Sequence, residues 1–167
     1  MEALMPYAAV KLAETPATSE FRLRDSLRHI LPDSPLRILL VEDDFSDIML
    51  TEIALDATHV DYELHTLGNG ADVIPYLRGQ RKYQGEPNPD ILMLDLSLPS
   101  KDGFEILAEL SINAERYRNL PIIILTGDTH CAFLKTSYDL NIAEYLTKPC
   151  TSEKIERAII AINKHKK

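Results

Sequence analysis

The sequence predicts a doubly wound α/β domain on a parallel sheet. Three observations carry this: near-continuous apolar runs at regular intervals, amphipathic segments between them, and acidic or polar residues directly after several of the runs. A strand covered on both faces reads as an unbroken apolar run, because successive side chains point to opposite buried surfaces. Leu36 to Val41 is the first such run, and Phe45 to Ala57 then reads as a helix. Tyr62 to Leu67 is a short strand, and Asn69 to Arg78 is a helix candidate that Pro75 should kink or shorten. Gln80 to Asp90 is a polar loop carrying Gly85, Pro87 and Pro89. The run Ile91 to Leu94, a helix from Gly103 to about Asn113, the run Pro121 to Leu125, and a helix from about His130 to Leu140 come next. Ala143 to Leu146 and a helix from Thr151 to about Lys164 complete five strand and helix pairs.

With 167 residues, 45% of them hydrophobic, the chain has apolar material for one well-buried core, so one domain over residues 35–167 is expected. Residues 1–34 lack a strand signal, and Pro32, Asp33, Ser34 and Pro35 separate them from the first apolar run, which makes them an extension. A helix at 19–31 is expected within it, capped by Thr18 or Ser19, with Leu23, Leu27, Ile30 and Leu31 on one face. Its use is either packing on its own domain or contact with a partner.

The net charge of -8 argues against nucleic acid, since phosphate binding needs a basic surface and Lys164, Lys166 and Lys167 form the only basic cluster. No apolar run suits a signal peptide or a membrane span, so a cytoplasmic protein that does not engage membranes is expected. Cys131 and Cys150 lack metal-ligand spacing and are expected as reduced thiols.

Ligand sites in an open parallel sheet lie beyond the carboxyl ends of the strands. There the sequence puts Glu42, Asp43 and Asp44 after the first run, Asp95 after the third, Thr126 after the fourth and Lys148 after the fifth. Clustered carboxylates resist ionising together unless a cation neutralises them, and Mg²⁺, which binds through one or two carboxylates, meets that need. The same cluster supports a carboxylate nucleophile at phosphorus, with Lys148 as a positive charge and Thr126 as a hydroxyl donor for phosphoryl oxygens. Each residue also has a plainer reading. Asp43 or Asp44 suits a helix N-cap, Thr126 a turn, and Lys148 the surface. Asp95 is harder to explain away, because a carboxylate ending a buried strand is costly. The joint pattern carries the chemical reading.

Leu39 to Asp44, Leu92 to Pro99 through Asp102-Gly103, Ile124 to Gly127, and Tyr145 to Pro149 together resemble the receiver domains of two-component response regulators. The resemblance spans residues 36 to about 164 and implies a flavodoxin-like fold, strand order 2-1-3-4-5. It implies Asp95 as phosphoacceptor. Asp43 is then a direct Mg²⁺ ligand, Glu42 a ligand through water, the Ser97 carbonyl the third protein ligand, and Asp44 a helix cap. Thr126 and Tyr145 match the switch pair, and a cis bond before Pro149 is expected to aim Lys148 into the site. Ser97 and Asp128 are expected to set the lifetime of the phosphoryl group. The long loop before Asp90 and the segment Ser137 to Leu140 resemble single-domain regulators paired with bacterial phytochrome kinases, although Asn141 and Cys150 depart from the common receiver pattern.

The resemblance implies a signalling protein that catalyses its own phosphorylation and dephosphorylation rather than a turnover enzyme. Its expected partners are a histidine kinase, such as a phytochrome, or a phosphotransfer protein, with a homodimer through residues 130–164. Output is expected to pass through protein contacts, as no DNA-binding or catalytic domain is seen. Two other readings compete: an unphosphorylated pseudo-receiver that only docks a partner, and a Mg²⁺-dependent aspartyl-phosphate phosphatase of the haloacid-dehalogenase kind. The second is disfavoured because Ser97 stands where those enzymes carry a second Asp.

Overall fold

The computed structural model describes residues 30–127 and 138–165. Its elements are β1 (Leu36–Val41), α1 (Phe45–Asp56), β2 (Tyr62–Leu67), α2 (Val73–Leu77), β3 (Ile91–Asp95), α3 (Gly103–Ile112), α4 (Ala114–Tyr117), β4 (Ile122–Thr126), β5 (Ile142–Thr147) and α5 (Ser152–His165). The sheet is five-stranded, parallel throughout, in the order β2-β1-β3-β4-β5. This is the expected flavodoxin-like arrangement.

Alternation along the central strands divides the core into two layers. Leu39, Val41, Leu92, Leu94, Ile122 and Ile124 face one side with Ile106, Leu107 and Leu110 of α3. Ile38, Leu40, Ile91, Met93, Ile123 and Leu125 face the other, against Ala54 and Leu55 of α1 and Ile155, Ile159 and Ile162 of α5. Complete burial holds for β3 and β4 only, and nearly so for β1. The edge strands β2 and β5 are half-buried, because each has one neighbour and carries charged residues such as Glu63 and Glu144.

Several elements differ from expectation for identifiable reasons. A 3-10 turn at Gly70–Asp72 delays α2 until Val73, so Pro75 falls in its first turn, where the missing N–H has no helical partner to lose. The polar loop after α2 is anchored by Tyr83, which is buried edge-on to Tyr76 at 5.2 Å between ring centres. The short helix α4 was not foreseen. Of the helix expected at 130–140, Tyr138 to Leu140 form bends and the rest lies outside the described residues, as does Cys131. Of the helix expected at 19–31, Ile30 and Leu31 form a turn and a bend, and the remainder also lies outside the described residues. Leu31 packs against the α1 and α5 core layer.

Candidate functional site

Four of the strand-end residues converge. Glu42 follows the last residue of β1 and is 1% exposed, and Asp95 ends β3 at 2%. Asp43 is exposed, yet one carboxylate oxygen from each of Glu42, Asp43 and Asp95 lies within 4.8 Å of the others. Lys148 reaches in from the segment after β5, and its Nζ donates to Glu42 Oε2 at 2.6 Å and stands 3.3 Å from Asp95 Oδ2. The Lys148–Pro149 peptide is cis, as expected.

The local sequence explains how these groups are held. Asp44 caps α1, its Oδ1 accepting from the N–H groups of Ser46 at 2.7 Å and Asp47 at 3.1 Å. Those bonds hold its carboxyl below the usual range. It is the helix cap. Asp102 caps α3 in a reciprocal box with Glu105. Gly103 lets that helix start against the end of β3, since a Cβ there would stand 2.6 Å from the Asp95 carbonyl oxygen and 2.7 Å from the Leu96 Cα. The phosphoacceptor candidate is thereby braced from behind by backbone.

Burial raises the Glu42 carboxyl above its ordinary pKa, the Lys148 hydrogen bond opposes this, and the Asp95 charge adds to it. Burial alone would lower the Lys148 ammonium, but its bonds to Asp47 and Glu42 and the Asp95 charge outweigh that and hold it above its ordinary value. Asp95 Oδ1 is sealed from solvent and accepts no hydrogen bond among the described residues. A buried carboxylate oxygen without a donor is costly unless something positive approaches it. Three converging carboxylates with such an oxygen fit a small hard divalent cation such as Mg²⁺.

Thr126 is buried at the end of β4, and its carbonyl accepts the Lys148 N–H at 2.9 Å. Ile124 is in register with Tyr145 and Thr126 with Thr147, which sets Tyr145 one alternation behind Thr126 on the same face. Tyr145 packs on the α3 core layer. Ser97 is exposed two residues past Asp95, and Asp128 lies outside the described residues.

One site residue escaped the sequence reading. Asp47 Oδ2 accepts from Lys148 Nζ at 2.7 Å. An acid in the first turn of a helix has an ordinary explanation in the helix dipole, so nothing in the sequence distinguished it. Its position three residues after the Asp44 cap, on the helix that follows the acidic pair, was the available signal.

Residues 38–160 match the response regulator receiver domain. The chain belongs to that family. Response regulator Rcp1 of Synechocystis sp. is 39% identical over 114 residues, which cover 68% of this chain and 77% of Rcp1. The phosphorylated cyanobacterial phytochrome response regulator RcpA superposes with a TM-score of 0.62 at 33% identity, over 78% of this chain and 93% of RcpA. The Mn²⁺-bound form of Rcp1 superposes with a TM-score of 0.61 at 35% identity, over 77% of this chain and 91% of that one. This receiver is therefore similar to phytochrome response regulators, and its acidic pocket is consistent with a bound divalent ion. Among the described residues no helix is long and apolar enough to cross a membrane.

Proposed function

We propose that this receiver is a cytoplasmic phosphorylation switch in which Asp95 takes a phosphoryl group from the phosphohistidine of a phytochrome-type histidine kinase or from a phosphotransfer protein. The observation that carries the reading is the convergence of Glu42, Asp43 and Lys148 on a buried Asp95 with an unsatisfied oxygen. An Asp95 oxygen attacks phosphorus, the O–P bond forms as the N–P bond breaks, and the imidazole leaves with the electron pair and takes up a proton. Bound Mg²⁺, held by Asp43 and Asp95, by Glu42 through water and by the Ser97 carbonyl, would neutralise the negative charge gathering on the phosphoryl oxygens. Lys148 offers those oxygens a compact positive charge, and the Thr126 hydroxyl offers a donor. Movement of Thr126 toward the phosphoryl group lets the Tyr145 ring fill the space behind it, which converts a local charge into a change of surface.

The chain then loses the phosphoryl group by its own hydrolysis, at a rate set by Ser97 and Asp128. Residues 1–34 act as an extension to a receiver over 35–167. Output passes through protein contacts, including a homodimer through residues 130–164, and not through nucleic acid. Phe45, Met49 and Ile53 leave an exposed apolar stripe along α1 that starts two residues after Asp43, which suits protein docking beside the site. Incubation with acetyl phosphate and Mg²⁺, followed by intact-mass measurement, tests the reading. One phosphoryl mass should be gained, and Asp95→Asn should abolish it. No gain in the wild-type protein would instead leave a docking module of the pseudo-receiver kind.

A further inference from the structure

Lys148 has more acceptors than phosphoryl chemistry alone requires. Its Nζ lies 2.6 Å from Glu42, 2.7 Å from Asp47 and 3.3 Å from Asp95, so its two short bonds go to the residues that do not receive phosphorus. We propose that Asp47 is a positioning residue, a carboxylate on α1 that shares the Lys148 ammonium with Glu42 and holds it off the Asp95 nucleophile. The proposal rests on Asp95 being the phosphoacceptor.

The geometry gives the reason for two holders. An ammonium carries three donors, and at full hydrogen-bond contact with Asp95 it would occupy the Oδ2 atom, leaving that oxygen less open to attack phosphorus. Glu42 alone leaves the lysine free to swing about a single bond into that contact. Asp47, approaching from a different element, fixes the ammonium between β1 and α1 while leaving its third donor toward Asp95. The two holders differ in strength. Glu42 is sealed, whereas the Asp47 side chain is 32% exposed, so water screens the Asp47 bond more and it is the one released when the phosphoryl group arrives with its negative charge.

The test is a double-mutant cycle read in two ways. Phosphorylation rates with acetyl phosphate at saturating Mg²⁺ are measured for the wild type, Asp47→Ala, Asp47→Glu, Lys148→Ala, and Asp47→Ala combined with Lys148→Ala. The Lys148 ammonium is followed in parallel by ¹⁵N NMR without any phosphodonor. Asp47→Ala should slow phosphorylation about tenfold, the scale of a mispositioned group, and Asp47→Glu should recover most of the rate. In the Lys148→Ala background the same substitution should change the rate less than about twofold, because a positioning residue has nothing left to position. The ammonium signal should be protected from exchange in the wild type and broadened in Asp47→Ala. An Asp47→Ala protein with wild-type rate and signal, or a loss that persists undiminished without Lys148, overturns the proposal. If the wild type itself gains no phosphoryl mass, the phosphoacceptor reading fails, and the ammonium signal alone then decides whether Asp47 holds the lysine.

Discussion

The two faces of the sheet contribute differently to the site. Glu42 and Asp95 continue the alternation of Leu40 and Met93, on the side covered by α1 and α5, and Lys148 meets them there together with Asp47 of α1. Thr126 continues the alternation of Ile122 and Ile124, on the side covered by α3, with Tyr145 packed on the same layer. The carboxylates of the first set, Glu42 and Asp95, hang from β1 and β3, whose residues are almost wholly buried, while Lys148 reaches them from the segment after β5; of the second set, Thr126 ends the buried β4 and Tyr145 lies on the half-buried edge strand β5. Charge chemistry needs groups fixed to within tenths of an ångström, which the closely packed centre supplies. The proposed readout needs a part that moves at low cost, and an edge strand with fewer packed neighbours suits that. One backbone bond, from the Lys148 N–H to the Thr126 carbonyl, ties the two together.

That division can be broken by substitution. Asp43→Ala should weaken divalent-ion binding by at least about a hundredfold, since even groups behind the ligands are worth about 10–100-fold. Tyr145→Leu, on the opposite face, should leave ion affinity within about twofold while removing the change in amide exchange along β5 on phosphorylation. Titration calorimetry with Mn²⁺ and exchange mass spectrometry read the pair, and equal losses of ion affinity in both variants would erase the distinction. Gly103→Ala disturbs the backbone brace behind Asp95. It forces a Cβ against the backbone of Asp95 and Leu96 and should cost about 1–3 kcal/mol, seen as a lower urea midpoint at unchanged slope. The smallest effect concerns Cys150, on the α1 and α5 side. Burial pushes its thiol up to about 11, so in the folded protein it stays neutral at pH 8 and alkylates slowly, the rate rising as pH approaches that value. Rapid alkylation of the native protein at pH 8 would mean that this layer opens more readily than its packing implies.

The sheet was legible because β1, β3 and β4 are apolar on both faces, a pattern that only a doubly covered parallel strand requires. Glu42, Asp43, Asp95 and Lys148 were legible because chemistry-bearing residues at strand ends are set by topology rather than by side-chain detail. The edge strand β5 extends at both ends beyond Ala143 to Leu146, taking in Ile142 and Thr147, because backbone pairing with β4 continues past its apolar centre. Tyr83 was missed because an aromatic among Gly, Pro and charged residues gives no periodicity, although it anchors the whole loop. Asp47 was missed for a different reason. Its contact spans 101 residues of chain, and local sequence already accounted for an acid at that helix position.

Whether the acidic pocket is a cation-dependent phosphoacceptor site is tested most directly by anomalous diffraction from crystals soaked in Mn²⁺. A single strong peak should appear within coordination distance of Asp43 and Asp95, and it should be absent from Asp43→Ala crystals. A saturated soak with no peak between those two carboxylates, or with its only peaks elsewhere on the surface, would contradict that role.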